Sequence, residues 1–329
     1  MPEYTQVRRR VRGGLHLCAM VVAIAASACS SSHSDGASGA DEKLPLNIAS
    51  ATNSADFTSP FDATPDPDGK NVYFIALTPD GDPGIFKVGA AQGSPVTKLF
   101  SGAPLGSPVN IAISDDGKTL YLADSGADTP DGDDGGALFS LGVGGGTPSM
   151  LAGTEGTAPR GVEVHGDSLY FTGTKDGAPG LFKTSAQGGS ASVVASGAFS
   201  DPSGVVVAST GEAYVVDTGT AADSVASVLK VAEDGTVTPF ATGFNVGFPA
   251  GLALTKDGGT LLISGLDASK GTDVVIGVSV ADAARRRTFS DTINQFSESA
   301  GLHRAKNVEV YAWADSQAQS TGTVYVLTK

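Results

Sequence analysis

The sequence predicts an all-β protein built from repeated units of short strands. Glycine provides 44 of the 329 residues, while charged residues make up only 17% of the chain. Long stretches rich in Glu, Lys and Leu, the residues that favour helices, are missing. Many glycines together with many β-branched residues are typical of short strands joined by tight turns. A hydrophobic content of 40% is enough for a packed core.

One phrase recurs six times along the chain, and its period predicts the architecture. In the second copy, from Ser107, it reads SPVNIAISDDGKTLYLADSG: a proline, an apolar run, a turn and a second apolar run. The proline recurs at positions 60, 108, 159, 202 and 249, and Ser299 replaces it in the last copy. The copies lie 43 to 51 residues apart, with room in each for four short strands joined by Gly, Asp and Pro turns. A four-stranded unit of about 45 residues is typical of one blade of a β-propeller, so we predict six blades.

The two ends of the repeated region predict how the ring of blades closes. After Ser299 the chain has room for only three strands before it reaches Lys329. Residues 44–52, LPLNIASAT, look like a strand that precedes the first copy. We therefore expect this N-terminal segment to supply the outer strand of the last blade. Residues 44–329 would then form a single six-bladed β-propeller without open sheet edges, and we expect it to be a monomer.

Residues 1–28 have the pattern of a secretory signal peptide. The basic run RRRVR at 8–12 precedes an apolar stretch from Leu15 to Ala28, which is too short for an ordinary membrane-spanning helix. The tetrapeptide ASAC, which ends at Cys29, resembles the lipobox of bacterial lipoproteins. The resemblance implies that the Cys29 sulfur is acylated with a lipid such as palmitate and that residues 29–43 form a flexible tether. The alternative is an ordinary cleavable signal followed by a chance cysteine.

The signal also predicts the location of the protein and the chemistry that its propeller lacks. We expect an extracytoplasmic protein held on the lipid bilayer through Cys29, at the outer membrane if the cell is Gram-negative. Cys18 would leave with the signal, so the propeller would contain no cysteine. A disulfide framework, a thiolate metal site and a cysteine nucleophile are therefore excluded within it.

The charge of the chain bears on its partners. The net charge is −14, and the segment before Cys29 contributes four arginines and one glutamate, so the remainder holds 17 basic and 34 acidic residues. A surface this acidic repels phosphate backbones, and we expect no nucleic-acid partner. Alternatively, the acidic residues serve only to keep the protein soluble. The basic run ARRRTF at 284–289 is an exception, either a docking patch or a solvated strand edge.

The repeated phrase resembles that of a known group of propellers. PVNIAISDDGKTLYLADS, from Pro108, is similar to the PNGIAxSPDGxTLYVADS of the lactonase group, within six-bladed propellers of the NHL and SMP-30/gluconolactonase type. TolB-like propellers are similar more loosely. The resemblance implies the fold over residues 44–329. In the lactonase group it also implies metal-dependent hydrolysis with Glu, Asn and Asp ligands, whereas the first blade here begins PFDAT and lacks that Glu.

Oxygen-bearing side chains recur at positions that such a propeller gathers at one mouth of its channel. Asp62 and Asn110 come two residues after the repeated proline, and Asp124 and Asp217 end second strands. Oxygen ligands contributed by several blades suit Ca²⁺, so these four residues are candidate calcium ligands. The alternative is that acids beside glycines form turns and keep the loops soluble.

Three further residues are candidates for ligand contacts at the same mouth. Arg160 and Ser203 follow the repeated proline by one residue, and His303 follows Gly301 on an inner strand, where it could instead be structural. The sequence contains no GxSxG elbow, HExxH motif, P-loop or Rossmann fingerprint. The predicted function is therefore a lipoprotein whose propeller serves as a scaffold that binds a small ligand or an envelope protein. The alternative is a calcium-dependent lactonase or hydrolase.

Overall fold

Six four-stranded sheets follow one another along the chain in the computed structural model. The structure describes residues 47–52, 54–129, 135–219, 225–290 and 299–328, and Cys29 lies outside these ranges. Blade 1 consists of β2 (Thr58–Pro65), β3 (Asn71–Leu77), β4 (Pro83–Gly89) and β5 (Thr97–Ser101). Blade 2 consists of β6 (Pro108–Ile113), β7 (Thr119–Asp124), β8 (Ala137–Gly142) and β9 (Ser149–Met150). Blade 3 consists of β10 (Gly161–His165), β11 (Ser168–Lys175), β12 (Ala178–Ser185) and β13 (Ser192–Ser196). Within each blade, every strand pairs antiparallel with the next strand along the chain.

The remaining three sheets complete the ring. Blade 4 consists of β14 (Pro202–Val207), β15 (Ala213–Asp217), β16 (Ala226–Val231) and β17 (Val237–Phe244). Blade 5 consists of β18 (Leu252–Leu254), β19 (Thr260–Asp267), β20 (Thr272–Ser279) and β21 (Arg286–Ser290). Blade 6 contains β22 (Ser299–Arg304), β23 (Val310–Asp315) and β24 (Thr323–Thr328), with a short 3-10 helix at Ala318–Ser320. Its fourth strand is β1 (Asn47–Thr52), which pairs antiparallel with β24.

The innermost strand of each blade is the first one, and these six strands surround a central channel. Each inner strand lies against the inner strands of the two neighbouring blades, and β22 of the last blade contacts β2 of the first. The chain is therefore a closed six-bladed β-propeller, as the repeat period predicts. Among the described residues, no helix has the length and apolar character needed to cross a membrane.

The core is divided among the interfaces between blades. Phe74 and Phe86 of blade 1 stack with ring centroids 5.3 Å apart, in a cluster completed by alanines and valines of blade 6. Trp313 of blade 6 is fully buried in a cluster with Leu262 and Val275 of blade 5, so this tryptophan packs between blades. Alternate residues of each strand point to opposite faces of its sheet, so one strand serves the interfaces on both sides.

Candidate functional site

The inner strands approach one another closely near their starting points. Two residues after the repeated Pro or Ser, four blades carry glycine: Gly161, Gly204, Gly251 and Gly301. A Cβ atom at any of the first three would collide with the backbone of the next blade, at Ser203, Ala250 and Leu302 respectively. Glycine at this level thus allows the backbones of neighbouring inner strands to pack directly against each other.

The other two blades carry the predicted metal ligands Asp62 and Asn110 at this level, and both are buried. Asp62 accepts hydrogen bonds from the N–H of Ala63 at 2.9 Å and of Ile111, in blade 2, at 2.8 Å. The Asn110 side-chain oxygen accepts one from the N–H of Val162, in blade 3, at 2.7 Å. Each side chain therefore joins its own blade to the next one.

Hydroxyl groups continue this linkage around the ring. The Thr172 hydroxyl of blade 3 donates to the carbonyl oxygen of Ser203 in blade 4. The Ser203 hydroxyl oxygen accepts from the N–H of Ala250, in blade 5, at 3.1 Å. The Ser264 hydroxyl of blade 5 donates to the carbonyl of Ala300, in blade 6, at 2.6 Å. Ser203, predicted as a ligand contact, is thus fully buried in a structural role.

His303 of blade 6 completes the linkage by contacting blade 1. Its Nε2 lies 2.9 Å from Asp62 Oδ2 and 3.3 Å from Asn110 Nδ2. One nitrogen cannot donate to Asp62 and accept from Asn110 at once, so we assign the shorter contact as the hydrogen bond. Burial lowers the pKa of His303, but attraction to Asp62 and Glu163 outweighs it, so the pKa lies above its ordinary value. We call Asp62, Asn110, Thr172, Ser203, Ser264 and His303 the hydrogen-bond ring.

Glu163 is a channel residue that the sequence analysis missed. It lies on β10 two residues beyond Gly161, is partly buried, and receives no hydrogen bond from any described residue. Burial raises the pKa of Glu163 to about 6, against the attraction of His303, Lys306 and Arg304. The available signal was an acid in the middle of the apolar strand GVEVH, at the level that His303 occupies on β22.

A small cavity lies beside Glu163 at the end of the channel where the inner strands finish. Its volume is about 40 Å³, and it is lined by Thr64, Ala112, Ile113, Ser114, Asp115, Glu163, Val164, His303, Arg304 and Lys306. Such a volume holds a few water molecules at most. The Lys306 ammonium pairs with Asp115 at 2.9 Å, so part of the lining charge is already balanced.

Asp124 and Asp217, the other two predicted metal ligands, hold loops in place. Asp124 accepts hydrogen bonds from the N–H groups of Gly106, Ser107 and Gly126 at 2.9, 2.7 and 3.1 Å. Burial raises the pKa of Asp124, and these N–H donors oppose the rise. The carboxylate thereby fixes the loop that leads into the inner strand of blade 2.

Asp217 makes the equivalent contacts in blade 4. It accepts from the N–H groups of Ser200, Asp201 and Gly219 at 2.7, 2.8 and 3.0 Å. The structure therefore brings Asp62, Asn110 and His303 together, whereas Asp124 and Asp217 have separate partners in their own blades. In the part of the chain that the structure describes, no three His, Cys, Asp or Glu side chains are arranged to hold a metal ion. The calcium site stays a prediction.

Arg160, the remaining predicted mouth residue, lies in a cluster at the end where the inner strands begin. Its guanidinium pairs with Asp201 of blade 4 and lies 5.5 Å from the ring centroid of Phe248, at the start of blade 5. Asp201 also accepts from the Thr218 hydroxyl at 2.8 Å. Phe248 is 40% exposed and is the one aromatic ring among the large apolar side chains that are exposed in the described part of the chain. We call Arg160, Asp201 and Phe248 the mouth cluster.

Comparison with known proteins identifies the fold. No protein-family model matches the chain. No curated protein matches it at a significant level either. Among solved structures, a protein of unknown function from Dyadobacter fermentans has a TM-score of 0.60 at 12% identity, with 87% of this chain and 99% of that chain covered.

Two further structures carry descriptive names. A gluconolactonase-like protein has a TM-score of 0.57 at 14% identity over 87% of this chain and 93% of its own. A TolB-like protein from Agrobacterium tumefaciens has a TM-score of 0.55 at 16% identity over 82% of this chain and 90% of its own. At these identities the similarity defines the class, a six-bladed β-propeller of the kind that includes TolB-like and gluconolactonase-like proteins, and it defines the fold alone.

Proposed function

We propose that the chain is an envelope lipoprotein whose propeller binds a protein partner through the mouth cluster. The observation that carries the proposal is that the polar side chains of the inner strands are hydrogen-bonded within the propeller. Asp62, Asn110 and Ser203 hydrogen-bond the backbone of neighbouring blades, which leaves the exposed mouth cluster as the more accessible chemistry at this end of the channel. The propeller is then a rigid support, and its mouth is the contact surface.

The composition of the mouth cluster suits a protein partner. Aromatic side chains and arginine are enriched in the buried centres of protein interfaces. Here an exposed Phe248 ring lies beside the Arg160 guanidinium, which is held in place by Asp201. A partner that covers Phe248 would bury apolar surface while the polar pair orients it.

The lipid anchor rests on the sequence around Cys29. A basic segment, a short apolar stretch and ASAC precede a polar tether, which is the arrangement of a lipoprotein signal. The structural neighbours carry the names TolB and gluconolactonase, so they support the fold and do not distinguish between the two functions. The alternative hydrolase would need Asp62, Asn110, Asp124 and Asp217 on one ion. Their oxygens instead accept from N–H groups in blades 2 and 3 and in the loops that lead into blades 2 and 4.

The anchor is tested on the full chain in cells that process lipoproteins. We expect the wild-type protein to enter the detergent-rich phase of a nonionic detergent that separates on warming, and to carry a mass increase at Cys29. The Cys29→Ala variant should stay in the aqueous phase. Equal partitioning of the two proteins would rule out the anchor, without bearing on the mouth cluster.

The partner is tested by photocrosslinking in intact cells. A photoreactive amino acid replaces Phe248 in one variant and Val193, a 57% exposed residue on outer strand β13, in the control. We expect a discrete crosslinked band from position 248 that disappears in the Arg160→Glu background. The same bands from both positions, or none from position 248, would contradict binding at the mouth.

A further inference from the structure

A second and larger pocket lies on the outer part of the propeller, between blades 4 and 5. Its volume is about 200 Å³, against about 40 Å³ for the channel cavity. It is lined by Gly243, Phe244, Ile276, Arg286, Arg287 and Thr288. These residues belong to β17, β20 and β21, so the pocket is separate from the inner strands that carry the hydrogen-bond ring.

Arg286 gives this pocket a fixed positive charge. Its guanidinium lies 4.6 Å from the ring centroid of Phe244, and its Nε donates to the carbonyl of Ala283 at 3.3 Å. No carboxylate of the described residues pairs with Arg286, although acids outnumber bases two to one after Cys29. The contact with the Phe244 ring therefore orients the Arg286 guanidinium, which lines the pocket.

The remaining walls supply a hydroxyl and an apolar surface. Arg286 and Thr288 are alternate residues of β21, so they project from the same face of blade 5. Thr288 pairs with Ile276 across the sheet, and Phe244 of blade 4 forms the opposite wall. A guanidinium fork with a nearby hydroxyl matches the oxygens of a phosphate group. The apolar walls match a small organic body attached to that phosphate.

We propose that this pocket binds a phosphate ester, with Arg286 and Thr288 on the phosphate and Phe244 and Ile276 against the organic group. The inference goes beyond the proposed function, because neither the mouth cluster nor Cys29 takes part. The same chemistry is offered by a soluble phosphate ester and by the headgroup of an anionic phospholipid. The pocket lies within the basic run at 284–289, whereas the chain as a whole is acidic, so we expect anions to be attracted to this site and not to the protein surface in general.

The test uses the full chain carrying Cys29→Ala, so that a lipid on Cys29 does not contribute. Phenyl phosphate is titrated by calorimetry, with inorganic phosphate and phenol as partial ligands. We expect phenyl phosphate to bind more tightly than either, and Arg286→Ala to weaken it about tenfold or more, the loss typical of a charge-assisted hydrogen bond. Lys183→Ala is the matched control, since its ammonium lies 4.9 Å from the Tyr170 ring centroid on blade 3. It should bind as wild type does.

A second arm identifies the source of the phosphate. The same proteins are floated with phosphatidylglycerol vesicles and with phosphatidylcholine vesicles. Binding to phenyl phosphate alone assigns the pocket to a soluble ester, and Arg286-dependent flotation with phosphatidylglycerol assigns it to a lipid headgroup. No binding in either arm, equal binding of phenol, or binding unchanged in Arg286→Ala would overturn the proposal. Circular dichroism of Arg286→Ala and Arg286→Lys establishes that each variant is folded.

Discussion

His303 of the sixth blade donates a hydrogen bond of 2.9 Å to the carboxylate of Asp62 in the first blade, although 241 residues separate them. The same carboxylate holds an N–H of the second blade. Asp62 therefore connects three consecutive blades at the point where the ring closes. Asp62, which the sequence offers as a candidate metal ligand, hydrogen-bonds neighbouring blades in the structure.

Removing the Asp62 carboxylate should destabilise the propeller. In Asp62→Ala the N–H of Ile111 and the ring of His303 both lose a buried partner. We expect a loss of about 2–4 kcal/mol in the free energy of unfolding, measured by chemical denaturation. The exposed Asp80, changed to Ala, should alter it by less than about 0.5 kcal/mol. Equal stability of the two variants would contradict the fastening role.

Gly301 should tolerate no side chain, because the Asp62 carboxylate occupies the place of its missing Cβ. Gly301→Ala should displace that carboxylate and cost about 1–3 kcal/mol, the usual penalty for overpacking. The control is Gly144→Ala, where a Cβ would meet nothing within 4 Å. Thermal unfolding of both variants measures the difference, and a normal midpoint for Gly301→Ala would show that the inner strands can move apart.

Glu163 should make the stability of the protein depend on pH. Burial raises its pKa from 4.5 to about 6 in the folded state, so the folded protein holds the proton more tightly than the unfolded chain does. The resulting stabilisation is present below pH 4.5 and is lost as the pH rises to about 6, by about 2 kcal/mol. The raised pKa of His303 acts in the same direction at higher pH.

The Glu163→Gln variant removes the contribution of the Glu163 carboxyl and also part of the rise in the His303 pKa, to which Glu163 contributes. Denaturation midpoints measured from pH 4 to pH 8 should fall with rising pH in wild type, and the fall between pH 4.5 and 6 should be smaller in the variant. The charges that face Glu163 are those of His303, Arg304, Lys306 and Asp115, and all of them remain in the variant. Parallel curves for the two proteins would show that Glu163 titrates normally.

Removal of calcium should leave the unfolding midpoint unchanged. Asp124 and Asp217 already accept three N–H groups each, so a cation would have to displace existing hydrogen bonds. Asp124→Ala should therefore lower stability equally with EDTA and with added Ca²⁺. A saturable rise in the midpoint with Ca²⁺ that Asp124→Ala abolishes would instead support the calcium site and the hydrolase alternative.

The architecture was predictable because each blade carries its own copy of the same short sequence phrase. The proline recurs in five blades and serine replaces it in the sixth, so the number of blades could be counted from the sequence. A local phrase also predicted that Asp124 and Asp217 end second strands, which they do.

The roles of the channel residues depend on contacts between blades, and no local pattern contains these. Asp62 bonds to an N–H 49 residues away, and Asn110 to one 52 residues away. Asp and Asn supply the same oxygens to an amide as to a metal ion, so residue type alone does not distinguish the two uses. Glu163 was missed because its unusual pKa arises from burial between strands, which only the assembled ring creates.

The strand pairing that completes the sixth blade also determines the order in which the protein can fold. Asn47 of β1 pairs with Thr328 of β24, so β1, the earliest of the described strands, has no partner until β24 has been made. Blades 1 to 5 are each built from strands adjacent in sequence and can form during synthesis. Until β24 has been made, β1 and the blade 1 side of the final interface remain uncovered. Export in an unfolded state, which the proposed signal peptide would direct, would remove that waiting period, because β1 and β24 would both be present when folding begins.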